Sequence, residues 1–279
     1  MNIAVIMACH NRKEFTLKCL RILFNQIGIN ISFNIDVFLL DDNSTDGTSE
    51  EINKDFPLVN IIHGNGELYW NRGMHVAWKS AIESNNEFDC YLWLNDDTFL
   101  FKNGLHLMLK AAEETQFKSI ICGSICSPNI ENKMTYGGCS LIDKKTIPNL
   151  PNGKNCLADI INGNCVLVPH CVYLLVGNLD WSFIHAIGDN DYGLRAKKNG
   201  VFSYSTGNFI GTCSDNTSLP KWCNPEFSIL ERFKNLYSPL GNAEPFKFFK
   251  YSKRHFGLCK ALKNFLSTHL RLLYPKIWL

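Results

Sequence analysis

No stretch of this chain approaches the ~20 consecutive apolar residues that a bilayer-spanning helix requires, which excludes a membrane-spanning protein of the helical kind. Internal repeats and low-complexity tracts are also lacking, and the composition excludes disordered, collagen-like and coiled-coil chains. The N-terminal MNIAVIMACHNRKEF has no basic-then-apolar layout and no small-residue cleavage site. It reads as a strand breaking into a polar turn, and the expected location is cytoplasmic. Among twelve cysteines the one close pair is Cys122 and Cys126, with no second pair or histidine cluster at zinc-finger spacing. Most of the others, such as Cys19, Cys90, Cys165 and Cys171, sit singly in apolar runs, where cysteine acts as a small hydrophobe. Reduced core thiols are therefore expected, not a zinc site.

Acid is the most telling shortage. Residues 246–279 hold eight Lys or Arg and no Asp or Glu, so the formal +2 of the whole chain conceals a body of −6 over residues 1–245. What is present is ample apolar residue, 46% of 279, enough to bury a large core without staples.

Over the first hundred residues, short β-branched runs alternate with helical patterns. Ile3–Met7, Ile35–Leu40, Val59–His63 and Cys90–Leu94 read as strands. Arg12–Asn25, Arg72–Ser84 and Gly104–Thr115 read as helices, the first with Phe15, Cys19, Ile22 and Leu23 on one face. This alternation implies a mostly parallel α/β sheet with right-handed crossovers. Ligands bind such sheets beyond the carboxyl ends of the strands, which directs attention to Ala8–Arg12, Asp41–Asp46, Asn65–Gly73 and Asn95–Asp97. Residues 120–185 are rich in Gly, Asn and Pro and read as hairpins and loops, with one strand at Cys165–Val168. Gly188–Gly200 reads as a helix with acids at its start and Lys197 and Lys198 at its end.

Each strand end has two readings. Asn95-Asp96-Asp97 is ordinary turn composition, or a pair of carboxylates for a Mg²⁺ or Mn²⁺ ion that bridges a diphosphate. In LLDDNSTDGT, Asp41 can accept the imide N–H of a pyrimidine, while Ser44 to Asp46 serve as helix-start material. Arg72, expected at a helix start, is either a phosphate contact or a solvated surface residue. Asp189 and Asp191 are a helix start with an Asp191–Arg195 pair, or a general base at Asp189 with Asp191 held by Arg195 or aimed at acceptor hydroxyls.

Taken in order, MACHNR, LLDDNSTDGT, LWLNDDTFL and GDNDYGLRAKKNG resemble the motifs of the family 2 inverting nucleotide-sugar glycosyltransferases. The likeness runs from Ile3 to about Gly211, and ELYWNRGMHVAW is similar to a subset with bacterial surface-polysaccharide transferases. It implies a GT-A fold: a Rossmann-like, mostly parallel sheet flanked by helices, spanning 1–215, with a basic helical extension over 216–279. It also implies a UDP- or dTDP-sugar donor bound by Ala8, Asn11, Arg12, Asp41, Asn65, Asn71, Arg72 and Asp96. By the same likeness a divalent cation (Mg²⁺ or Mn²⁺) sits on Asp97 with Asp96, and Asp189 is the base. Trp181 and Asp191 face a glycan or lipid-linked acceptor. Two departures stand out: Asn95 replaces the first acid of the metal motif, and Gly188 precedes Asp189 where many members have Glu.

Leu258, Leu262, Phe265, Leu266 and Leu273 fall near one helical face among Lys260, Lys263 and Arg271. That pattern suits either a helix lying on anionic lipid at the inner face of the membrane or a helix packed on the body. Rival classes are a sugar-phosphate nucleotidyltransferase, whose Gly-rich first loop MACHNR lacks, and a nucleotide-sugar-binding protein without transferase activity. Nucleic acid is not an expected partner, since only charge favours it.

Overall fold

The protein is described by a computed structural model covering residues 1–142, 145–215, 219–241 and 243–278. In chain order, the first half is β1 (Asn2–Cys9), α1 (Lys13–Phe24), β2 (Asn34–Asp41), α2 (Thr48–Asp55), β3 (Asn60–His63), α3 (Tyr69–Glu83), β4 (Cys90–Leu94), β5 (Phe99–Leu100) and α4 (Gly104–Glu114). The second half is β6 (Ile120–Cys126), β7 (Met134–Tyr136), β8 (Cys139–Ile142), β9 (Lys145–Pro148), β10 (Cys156–Ala158), β11 (Cys165–Pro169), α5 (His170–Val176), α6 (Gly188–Lys198) and β12 (Ser203–Thr212). Three helices close the chain: α7 (Ile229–Leu236), α8 (Pro245–Phe256) and α9 (Leu258–Leu273).

The main sheet runs β10-β12-β6-β11-β4-β1-β2-β3. Neighbours β3, β2, β1 and β4 are parallel, as are β12 and β6, whereas β11 lies antiparallel between β4 and β6. Side chains of β1 alternate between the two faces, as the period of two demands. Ile3, Val5 and Met7 pack with Leu17, Leu20 and Leu23 of α1 and Met108 of α4, while Ala4 and Ile6 pack with Trp78 of α3 and Tyr192 of α6. Burying such side chains, at about 1.5–3 kcal/mol each, is the main force holding the layers together.

The region read as hairpins and loops holds the antiparallel pairs β6–β7 and β8–β9, but β6 is also a central strand of the main sheet, buried up to Cys126, and the sheet takes in β12 as well. Gly123 lets β6 pass the side chain of Ile210, which occupies the space a Cβ would need. The expected boundary at 215/216 abuts residues 216–218, which lie outside the described residues. Beyond them Trp222, Cys223, Leu236 and Leu272 form a small core of their own. Among the described residues no helix is long and apolar enough to cross a membrane.

Candidate active site

The β1 and β2 strands end in register at Cys9 and Asp41, and the chain then turns into short polar loops. Asn11 and Asn43 adopt left-handed backbone (φ 50° and 63°), which asparagine tolerates better than most residues. The Asn11 side-chain carbonyl accepts from the Thr45 backbone N–H at 2.7 Å, and the Asn11 N–H donates to Ser44 Oγ at 2.9 Å. These bonds tie the first two strand ends together. Ala8, half-buried at the end of β1, packs closely on Gly73 of α3, where a Cβ would lie 3.1 Å from the Ala8 Cβ.

Asp41 differs from the expectation. Its carboxylate is 2% exposed, with Oδ1 accepting from Ser44 N–H at 2.9 Å and Oδ2 from the Ser49 hydroxyl. It shapes the loop instead of presenting a free edge to a base. The neighbouring Asp42, which sequence reasoning passed over, does more: Oδ1 accepts from Gly66 N–H at 2.8 Å, and Oδ2 from Leu68 and Tyr69 N–H, both at 2.9 Å. A carboxylate from a distant strand thus caps α3, a favourable place for negative charge. The doubled acid in LLDDNST was the available signal.

Because α3 begins at Tyr69, Arg72 lies inside its first turn and not at its start. Its Nε donates to the Trp181 carbonyl at 3.0 Å and its guanidinium lies 4.9 Å from the Trp181 ring centre, so it is turned onto Trp181 and not toward the acids of β4. Asn71 is fully buried: its amide donates to the Asp180 and Phe183 carbonyls at 2.9 Å, fixing the loop before α6. That burial replaces the expected donor contact by Asn71. Asn65 is exposed, with its side-chain carbonyl accepting from Glu67 N–H. Trp181 is 45% exposed and available to a ligand.

At the end of β4, Arg12 spans both acids: Nη1 lies 3.1 Å from Asp96 Oδ1 and Nη2 2.9 Å from Asp97 Oδ2. Asp96 is 4% exposed, and burial drives its pKa up to about 7 against the opposing pull of Arg12. Asp97 keeps a buried Oδ1 with no hydrogen-bond partner. Such an orphan oxygen fits a divalent ion that takes one or two carboxylates and completes its shell with phosphates and water. Among the described residues no group of three or more His, Cys, Asp or Glu side chains gathers into a ready-made metal cage.

Asn95 has its own task. Its Oδ1 accepts from Trp70 Nε1 at 2.7 Å, and its backbone N–H donates to the Asn164 carbonyl at 2.9 Å. The far edge of the Trp70 indole presses on Gly163, where a Cβ would lie 2.5 Å from the ring and 3.2 Å from Asp189 Cβ. The Gly163 N–H in turn donates to Asp189 Oδ2 at 2.9 Å. The metal-motif loop, Trp70 and Asp189 therefore form one contiguous wall.

Asp189 opens α6. Its Oδ1 accepts from both the backbone and side-chain N–H of Asn190, and burial raises its pKa above the usual carboxylate range despite these bonds. Gly188 is required here, since the Asn71 side chain fills the place of a Cβ. Ile187, just before it, sits at φ 78°, a costly conformation for a β-branched residue. Asp191 does not face an acceptor. It is fully buried, with Arg195 Nε at 2.9 Å, Arg254 Nη1 at 2.7 Å and His255 Nε2 at 2.8 Å. Arg254 also reaches Asp180 at 2.5 Å, so α8 is clamped to α6 and the loop before it. That clamp joins residues more than 60 positions apart and leaves no local sequence pattern.

A Rossmann-like sheet with acids converging at its strand ends is the GT-A class of architecture. The Glycosyl transferase family 2 model matches residues 4–165, more than half of the chain, and the chain belongs to that family. No curated protein matches by sequence. Among solved structures, a mannosyltransferase from Pyrobaculum calidifontis in complex with GDP-Man and Mn²⁺ is similar with TM-score 0.61 at 11% identity, over 99% of this chain and 73% of that one. S. aureus TarS 1–349 in complex with UDP-GlcNAc is similar with TM-score 0.56 at 14% identity, over 99% and 88%. The match to the longer TarS structure has TM-score 0.57 at 15% identity, covering 92% of this chain but 44% of that one. At these identities the likeness is one of fold.

Proposed function

We propose that this glycosyltransferase inverts the anomeric centre as it moves a sugar from a UDP- or dTDP-sugar to a hydroxyl of a glycan or lipid-linked acceptor, in surface-polysaccharide synthesis at the cytoplasmic face of a membrane. The observation that supports this reading is the wall from Asn95 through Trp70 and Gly163 to Asp189. It sets a buried carboxylate of raised pKa opposite the Asp96–Asp97 end of the site. TarS is described with UDP and with UDP-GlcNAc, which favours a pyrimidine donor, while the Pyrobaculum calidifontis mannosyltransferase is described with GDP-Man.

Asp189 Oδ2 carries a single hydrogen bond and keeps a lone pair for the acceptor proton. The acceptor oxygen attacks the anomeric carbon, its proton passes to Asp189, and the bond to the diphosphate oxygen breaks with its electron pair leaving on the nucleotide. One displacement inverts the centre. Asp97 Oδ1, with Asp96 behind it, would hold Mg²⁺ or Mn²⁺, which when bound supplies neutralising charge for the leaving diphosphate. Arg12 orients both carboxylates.

A small cleft lined by His185, Ile187, Pro239, Glu244 and Lys247 lies between the loop that leads into α6 and the segment entering α8, and is our candidate approach for the acceptor. Leu258, Leu262, Leu266 and Leu273 are each about half exposed on α9, which supports peripheral contact with anionic lipid near a lipid-linked acceptor.

Incubation with a panel of UDP- and dTDP-sugars and glycan acceptors tests the reading. Asp189→Asn is expected to lower turnover by at least ~10²-fold while leaving the fold intact, and full turnover in that variant would remove Asp189 from the mechanism. Retained donor binding with neither transfer nor donor hydrolysis in the wild type would favour a binding protein instead.

A further inference from the structure

The small C-terminal core contains an arginine that the transfer site does not use. Arg232 of α7 is only 9% exposed, and neither its Nε nor its Nη1 has a hydrogen-bond partner. It shares the inward face of α7 with Leu236, one turn on, and that face packs toward Trp222, Cys223 and Leu272. Arg271, next to Leu272 on α9, has a buried Nε that is also unpartnered, and its guanidinium lies 5.6 Å from the Trp222 ring centre. Its charge acts on the neighbouring Cys223 thiol as well.

Among the described residues no acid pairs with these two cations. Residues 219–279 contain eleven Lys or Arg and three Glu. Glu226 accepts from Asn224, Glu231 is committed to the capping box with Ser228, and Glu244 caps α8 through the N–H groups of Phe246 and Lys247. A guanidinium cannot escape burial by losing its proton. A buried charge without a counter-charge is strongly unfavourable, and none of the described residues supplies one, which favours an anion taken from outside the chain. With exposed Lys234 on α7 and exposed Lys221 on the adjoining Lys221–Cys223 turn, a multiply charged group is favoured over a single carboxylate.

We propose that α7, α9 and the Lys221–Cys223 turn form a site for a phosphate group, held by Arg232 and Arg271 apart from the cleft of Asp97 and Asp189. The phosphate belongs either to a free phosphate compound or to a lipid headgroup reached alongside the exposed leucines of α9. This goes beyond the transferase reading, which stands or falls on other residues.

The test compares thermal unfolding of the full chain in sodium phosphate with sodium chloride of equal ionic strength. In parallel, flotation is measured with vesicles of phosphatidylcholine alone or mixed with phosphatidylglycerol. For a free phosphate ligand, phosphate raises Tm by about 2–4 °C over chloride, and the rise disappears in Arg232→Met and shrinks in Arg271→Gln. For a headgroup, the Tm rise is absent but flotation with the anionic vesicles falls several-fold in both variants. In chloride, Arg232→Met is at least as stable as the wild type, because an uncompensated buried charge has gone. A large loss of Tm in chloride for Arg232→Met would make the arginine structural and overturn the proposal. So would a phosphate or vesicle response that Arg271→Gln leaves unchanged, or the absence of any response in both arms.

Discussion

Asp97 and Asp189 occupy opposite ends of one wall, and their surroundings differ in kind. Asp97 has an unpartnered oxygen beside a positive guanidinium, whereas Asp189 is enclosed by N–H donors and Trp70-backed glycine. Asp97→Asn is therefore expected to weaken Mn²⁺ binding in the presence of UDP by about tenfold or more, read by calorimetric titration, with Arg12 still paired to Asp96. The ordered motifs pointed to both residues, Asp97 just past β4 and Asp189 at the start of α6, and Trp70 with Gly163 joins their surroundings into one wall. The settings of Asp41, Asn71, Arg72 and Asp191 were not legible, because sequence tells where a polar side chain sits along an element but not which way it turns. Asn71, Arg72 and Asp191 find partners far along the chain, in Asp180 and Phe183, Trp181, and Arg254 with His255, beside the Asp191–Arg195 pair that the sequence did show; Asp41 turns onto the nearby Ser44 and Ser49.

Among the elements, α8 contributes most that the sequence kept hidden. Arg254→Met removes one of three partners of the buried Asp191 and the closest partner of Asp180, and should destabilise the protein by about 1.5–3 kcal/mol in denaturant titration. Asp180 also has a defined pH signature. Burial opposes its ionisation, but hydrogen bonds from Ser182 and the pair with Arg254 outweigh it and hold the carboxyl well below the usual range. A group depressed in the folded state adds stability that is complete above its unfolded pKa of about 4 and is lost as pH falls below it. The Tm of the wild type should thus drop steeply below about pH 4, and Arg254→Met should flatten part of that drop. The strands β1, β2 and β4 and helices α1, α4 and α6 were readable from apolar period and end signals. β6 was obscured by its glycine and by flanking turn-rich sequence, and α3 starts three residues early because Asp42, not a local cap, satisfies its first N–H groups.

For the whole molecule, the charge division between body and tail is only partly a surface property. Arg254 is used internally and Lys250 lies 3.9 Å from Asp180, which leaves α9 with its exposed leucines as the outward-facing part. Truncation at residue 245 would also strip Asp191 of two partners, so point changes are the cleaner probe of lipid contact. Leu262→Gln with Leu266→Gln is expected to reduce flotation with anionic vesicles several-fold without lowering Tm, as both side chains are about half exposed or more. The overall architecture was legible because alternation of strand and helix leaves few topologies; the reversed β11 and the small second core depend on contacts that no local pattern announces. One indole has a broader consequence. Wedged between Asn95 and Gly163, Trp70 makes the Asn95–Asp97 loop and the seat of Asp189, the proposed base, a single mechanical part. Tailoring this enzyme to a bulkier sugar would then disturb its chemistry as well as its selectivity, unless positions 70 and 163 were redesigned together.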